Sequence, residues 1–171
     1  AVRENLELPD GRVQATVEAR EALAKLLRIY RPELVFAHHT EDLHPDHAAT
    51  GRLAREAWYL SGLARLAELT GGPDAARPRR LYHFMGHEPF DPTFVVDITD
   101  VWADKVALIR CYASQLDPGH EEDDGGHFLF GSDILARAET KARYYGERIG
   151  TRFGEPLMHV GPVPFLDPLL P

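Results

Sequence analysis

The sequence predicts an α/β fold, and three observations carry that reading. An amphipathic helical pattern over 16–30 is followed, after a break at Arg31-Pro32, by the apolar run Leu34-Val35-Phe36-Ala37. A histidine-rich stretch, His38-His39-Thr40-Glu41-Asp42-Leu43-His44-Pro45-Asp46-His47, joins that run to a second helical pattern. Two later strand-like runs, 81–85 and 94–98, again alternate with helical segments. Helix, brief connection, strand, loop, helix is the rhythm of open α/β sheets, whose ligands gather at the carboxyl ends of strands and at the first turns of the helices that follow.

The elements follow in order. Arg3 to Leu8 alternates apolar and polar residues and predicts a short strand end, and Pro9-Asp10-Gly11 predicts a turn, because proline presets φ and glycine accepts positive φ. Val17, Ala22, Leu23, Leu26, Leu27 and Tyr30 keep helical spacing, which assigns Arg20, Glu21, Lys25 and Arg28 to the outer face. Pro32 disfavours helix at the residue before it, and 34–37 suits a strand buried on both faces. Beyond His47, Leu53, Ala54, Ala57, Trp58, Leu60, Leu63, Ala64 and Leu66 predict one long helix to about Leu69, with its aromatic residues in the core. Arg77, Arg79 and Arg80 read as solvated surface.

Leu81 to Met85 is a strand by its aromatic content and leads into the loop Gly86-His87-Glu88-Pro89. The run 94–98 is a further strand, and Asp100 is the predicted cap of a helix from Val101 to about Ser114. The acidic, glycine-rich 115–126 reads as a loop, Ser132 as the cap of a helix over 133–149, and Gly150 as its stop. Pro156 cannot donate to a ladder, so 155–160 is predicted to be a late edge strand. No repeat or domain boundary interrupts 1–171, which reads as a single domain.

Bulk properties exclude several classes. A chain of 171 residues with 44% hydrophobic and 27% charged residues is an ordinary soluble composition and can bury one sizeable core. No apolar stretch reaches the length that predicts a membrane span. The formal charge of −8, with no basic run, speaks against nucleic acid as a partner. The one cysteine, Cys111, cannot form an internal disulfide and suits a reducing compartment, so a cytoplasmic location is expected. The chain starts at Ala1 inside what reads as a functional segment, so it is expected to be N-terminally incomplete.

His44-Pro45-Asp46-His47 carries the chemistry. Pro45 fixes its own φ and biases His44 toward extended backbone, so His44 should project from the loop while His47 enters the helix. The two imidazoles can then serve different purposes. A neutral imidazole is a zinc ligand, and a catalytic zinc has three protein ligands and one open position. Asp46 fits either of two roles on spacing alone, as a ligand or as the acceptor that fixes an imidazole tautomer. The same residues also fit a solvated helix cap.

Read together, Asn5-Leu6-Glu7-Leu8-Pro9-Asp10-Gly11, Arg31-Pro32-Glu33-Leu34-Val35-Phe36, His44-Pro45-Asp46-His47, Lys141-Ala142-Arg143-Tyr144-Tyr145-Gly146 and Glu155-Pro156 resemble the PIG-L/LmbE-like zinc-dependent deacetylases over nearly the whole chain, and among them those that act on N-acetylglucosaminyl malate in bacillithiol biosynthesis. The resemblance implies a Rossmann-like three-layer sandwich with a mostly parallel sheet, lacking its first strand and helix. It implies His47 as a Zn2+ ligand, His44 as the general acid that also stabilises the oxyanion, and Asp46 as the group that tunes His44. It further implies Asp10 as a sugar-hydroxyl contact and His87 as a residue bordering the substrate, with a small amino-sugar conjugate as substrate and a homo-oligomer, such as a hexamer, when complete.

Two departures accompany the resemblance. The family's Ala-His-Pro-Asp-Asp stretch, which carries its other two zinc ligands and its general base, has no counterpart in 1–171, where Asp123-Asp124 lacks the preceding histidine. Leu43 stands where the family usually has arginine before the first histidine. Little or no deacetylase activity is therefore expected of this chain alone. The rival readings are a non-catalytic sugar-binding module and a different LmbE-like amidase.

Overall fold

The structure, a computed structural model, describes residues 1–112 and 134–162. Among these the chain forms strands β1 (Leu34–His38), β2 (Arg80–Phe84), β3 (Phe94–Asp97) and β4 (Gly154–His159). Its helices are α1 (Val17–Tyr30), α2 (Pro45–Ser61), α3 (Ala64–Thr70), α4 (Trp102–Arg110) and α5 (Ile134–Arg148). The strand order is β1-β2-β4-β3. The sheet is mixed: β1 and β2 run parallel, with Leu34 opposite Arg80, whereas β4 runs antiparallel to β2, with Tyr82 opposite His159. Two compact units divide the chain, one of Ala1–Thr93 with the segment from Leu157 onward, the other of Phe94–Pro156.

In the first unit, Thr16 caps α1 by accepting the Ala19 N–H at 3.2 Å, and Arg31, in a left-handed conformation, ends it. Alanines let the helices approach closely. Ala24, Leu27 and Ala57 form one buried cluster, and Ala37, Ala54 and Leu81 another beneath α2. Gly51 allows a close approach of helix to strand, since a Cβ there would lie 2.5 Å from the His38 carbonyl oxygen. This contact fixes the first turns of α2 against the end of β1, where the histidines gather.

Several expectations change in this unit. The segment before Pro9 is not a strand, because Glu7 takes a positive φ of 53° and breaks the alternation. β1 is not buried on both faces: Ala37 is covered, whereas Leu34 and Phe36 stay exposed, Phe36 beside Tyr82 with ring centroids 5.6 Å apart. The long helix predicted to reach Leu69 is two helices. It stops at Ser61, whose carbonyl accepts the Ala76 N–H, and Gly62 admits the Arg77 side chain. The break folds α3 back over α1, so Arg28, expected outside, is fully buried and donates to Thr70 Oγ1 at 3.0 Å. Tyr59 is exposed rather than core, under the Arg77 guanidinium at 4.6 Å.

In the second unit, Asp100 does not cap the helix after β3. A 3-10 turn, Thr99–Val101, intervenes, and Asp97 accepts the Thr99 N–H at 2.9 Å instead. α5 packs on β3, and Gly146 makes room for the chain at Phe153, whose ring stacks on Trp102 at 4.4 Å. Lys105 pairs with Glu155. β4 is an interior strand, not an edge. Its register with β2 starts at Leu157, one residue after Pro156, so the missing N–H leaves no ladder bond unmade. Ser132, Asp133 and the 115–126 loop lie outside the described residues.

Candidate metal and catalytic site

The site lies in the first unit, where β1 ends and α2 begins. His44 has extended backbone, φ −79° and ψ 120°, as expected of a residue before proline, and Pro45 occupies the first helical position, where its missing N–H costs nothing. His44 is itself the cap, with Nδ1 accepting the Asp46 backbone N–H at 3.2 Å. The ring proton of a neutral His44 therefore resides on Nε2. A second proton on Nδ1 would have to displace that cap.

Asp46 is buried, and its side chain faces the N-terminal loop. Its oxygens accept the N–H groups of Gly11 at 2.6 Å and Val13 at 3.1 Å. The carboxylate thus ties the Pro9-Asp10-Gly11 turn to the start of α2, while Asp46 meets His44 through its backbone N–H. Asp10 itself stays exposed on that turn.

His47 lies within a group of imidazoles. Ring centroids of His38, His44 and His87 stand 4.3, 4.6 and 5.2 Å from its own, and the His87 ring is within 3° of parallel. Among the described residues, Asp42, His47 and His87 form a group able to hold a metal ion, with ligand atoms within 4.8 Å of one another. A carboxylate and two imidazoles are a donor set that suits zinc, so the chemistry of the residues present fits that ion.

Burial and neighbouring groups shift three side chains around the cluster, His38, His83 and Asp42. Burial, followed by repulsion from His47, pushes His38 down to about 4. Burial alone would raise Asp42, but the N–H groups of His44 and His87, with His47 nearby, outweigh it and hold the carboxyl below the usual value. His83, beneath the cluster on β2, is lowered by burial, and its Nδ1 lies 2.6 Å from the His38 carbonyl oxygen. A cavity of about 820 Å³ opens beside Asp42, lined among others by His39, Glu41, Arg52, Glu88 and Phe90.

Three of the residues singled out in the sequence, His44, His47 and His87, are brought together, and Asp46 adjoins them. Asp42 and His38 were missed as site residues. Asp42 stands five residues before His47, a spacing that does not reveal which way a loop carboxylate faces; the loop geometry turns it inward.

The PIG-L family, described as GlcNAc-PI de-N-acetylase, matches residues 2–58, which include the whole 38–47 stretch. The diacetylchitobiose deacetylase of Thermococcus kodakarensis is 27% identical over 164 residues, 91% of this chain and 55% of that protein. The 4-oxalmesaconate hydratase of Pseudomonas putida is 30% identical over 120 residues, 66% of this chain and 44% of that protein. Among solved structures, the conserved protein TT1542 from Thermus thermophilus has a TM-score of 0.80 and 34% identity, over 98% of this chain and 69% of that one. The chain spans about half the length of the curated relatives it matches.

Proposed function

The chain belongs to the PIG-L family, and from that premise we propose that it is the metal-binding part of a hydrolase that removes an acetyl group from an N-acetylglucosaminyl conjugate. The observation that carries the reading is the imidazole cluster with a buried carboxylate at the end of β1, of which His38, Asp42, His44 and His47 lie inside the stretch the family matches and His87 joins from the loop after β2. The same match favours deacetylation over the hydration named for the Pseudomonas relative. Zinc is the ion proposed, held at His47 with His87, and Asp42 adjoins both residues. When bound, it would supply polarisation of the amide carbonyl and a more acidic water.

The chain's own residues do the rest. His44 Nε2–H, held in that tautomer by the Asp46 N–H, offers a hydrogen bond to the developing oxyanion, and giving a proton to the departing amine requires His44 first to take a second proton on Nδ1 in place of that cap, so that a neutral imidazole is left behind. Asp46 positions the Asp10 turn through Gly11 and Val13, which supports Asp10 as a contact for a sugar hydroxyl. The malate conjugate of N-acetylglucosamine and N,N'-diacetylchitobiose are the two substrates to compare. Asp42 and Asp46 already accept backbone N–H groups, so neither is poised as a general base. Slow turnover by this chain alone follows.

The same saturation favours a second reading, a module that binds the sugar without cleaving it. Acetate release separates the two. With zinc loaded, detectable release from either substrate that His47→Ala abolishes supports the hydrolase. Tight sugar binding with no acetate, from this chain and from any longer protein containing it, supports the module.

A further inference from the structure

Asp42 is the polar group around which the site closes, and its surroundings define what it can do. The side chain has no exposed surface. Oδ1 accepts the His44 N–H at 3.0 Å and lies 3.3 Å from His47 Nδ1, and Oδ2 accepts the His87 N–H at 2.9 Å. Gly86 covers the remaining side so closely that a Cβ there would collide with Oδ2. An ionised carboxylate offers about four lone-pair positions. Among the described residues, three face nitrogen atoms of the protein, and Gly86 crowds Oδ2, which accepts the His87 N–H.

We propose that Asp42 is a positioning residue that holds His47 as the Nδ1–H tautomer and so presents a bare Nε2 to the metal, rather than serving as a metal ligand itself. The inference rests on the metal-site reading above and assigns the roles within it. A carboxylate only accepts, so a bare Nδ1 at 3.3 Å would set two lone pairs against each other. A proton on Nδ1 makes the contact attractive. A neutral imidazole carries one N–H, so Nε2 is then left with its lone pair, on a side chain 30% exposed to solvent. A carboxylate behind the second ring nitrogen of a ligating histidine also raises its basicity and fixes the ring.

The same carboxylate grips the backbone of His87 and of His44. The loop after β2 and the first turn of α2 are therefore held to one point, and Gly86 is the residue that lets them meet there. A side chain at Gly86 would push Oδ2 away, and with it the His47 hydrogen bond.

The experiment needs neither substrate nor turnover. The chain is labelled with 15N-histidine, kept metal-free at about pH 8, where ordinary imidazoles are neutral, and two-bond proton–nitrogen correlations identify the protonated nitrogen of each ring. His47 is expected to show a protonated Nδ1 and a bare Nε2, and addition of zinc alone should shift Nε2 while Nδ1 keeps its proton. Asp42→Ala should abolish the tautomer bias and weaken zinc binding about 10- to 100-fold. An Nε2–H tautomer in the unsubstituted protein overturns the proposal even if the variant fails to fold. A zinc titration that leaves Nε2 unmoved, or that strips the proton from Nδ1, overturns it too. The expected spectrum, with no acetate released by this chain or by any longer protein containing it, would sink the hydrolase reading and leave the role of Asp42 standing.

Discussion

At the scale of single residues, the site depends on carboxylates that accept backbone N–H groups, and two substitutions test this. Gly86→Ala puts a methyl group into the space of Asp42 Oδ2, so the carboxylate must move off the His87 N–H or the loop must lift. Zinc affinity is expected to fall about 10- to 100-fold, as when the supporting partners of ligands are lost, read by competition with a chromophoric chelator. Unchanged affinity would mean that the loop yields without disturbing Asp42. Asp46→Asn keeps the shape but replaces one of the two oxygens that accept from Gly11 and Val13 with an amide donor. A loss of about 1.5–3 kcal/mol is expected, the worth of a hydrogen bond to a charged group, measured by urea unfolding together with faster amide exchange at Gly11 and Val13. Exchange rates that stay the same would detach Asp46 from the loop. His44 and His47 were legible in the sequence because proline fixes the backbone between them. Asp42 was not, since an acid in a loop has no periodicity to reveal which way it faces.

At the scale of elements, small residues decide how the helices seat the site. Gly51→Ala gains about 1 kcal/mol in helix propensity but sets a methyl group 2.5 Å from the His38 carbonyl oxygen and 2.8 Å from that of His39. Overpacking of this kind costs about 1–3 kcal/mol, so the variant should be neutral to about 2 kcal/mol less stable, with displaced His38 and His39 amide resonances. A clear rise in the urea midpoint would show that α2 slides freely along β1. Helix α1 and the strands were legible because periodicity is local. The break at Ser61 was not, because the apolar spacing runs on through Leu63 and Leu66 and what stops α2 is Ala76, fifteen residues beyond it in the chain. The exposed assignment of Arg28 failed for the same reason, as α3 returns over it.

At the scale of the whole molecule, the buried histidines make stability depend on pH. His38, lowered to about 4, and His83, also lowered, are held neutral in the folded chain, whereas in the unfolded chain they titrate near 6.5. Their contribution is fully present above the unfolded value. As the pH falls through 6.5 toward about 4, the unfolded state takes up protons that the folded state refuses, and stability declines. Asp42, lowered from 3.8, adds a further loss at still lower pH. Thermal melts from pH 8 to pH 4 should therefore show a falling midpoint that His83→Gln partly flattens. A midpoint that is level across this window would mean that these imidazoles are solvated. Zinc should act in the opposite sense at neutral pH, since a ligand of the folded state at 100 times its Kd stabilises by about 2.7 kcal/mol, and chelation should reverse the gain.

What the sequence determined by itself is what local chemistry dictates. The α/β alternation follows from apolar spacing, the turn at Asp10-Gly11 from proline and glycine, and the projection of His44 and the entry of His47 into a helix from the proline between them. The tertiary structure decided what depends on contacts between distant residues. It made the sheet mixed by inserting β4 beside β2, turned Asp46 toward Gly11, and brought His87 to within ring contact of His47 across forty residues of chain. A buried carboxylate must find donors wherever the fold supplies them, and for Asp42 these are the backbones of two loops that no sequence spacing relates.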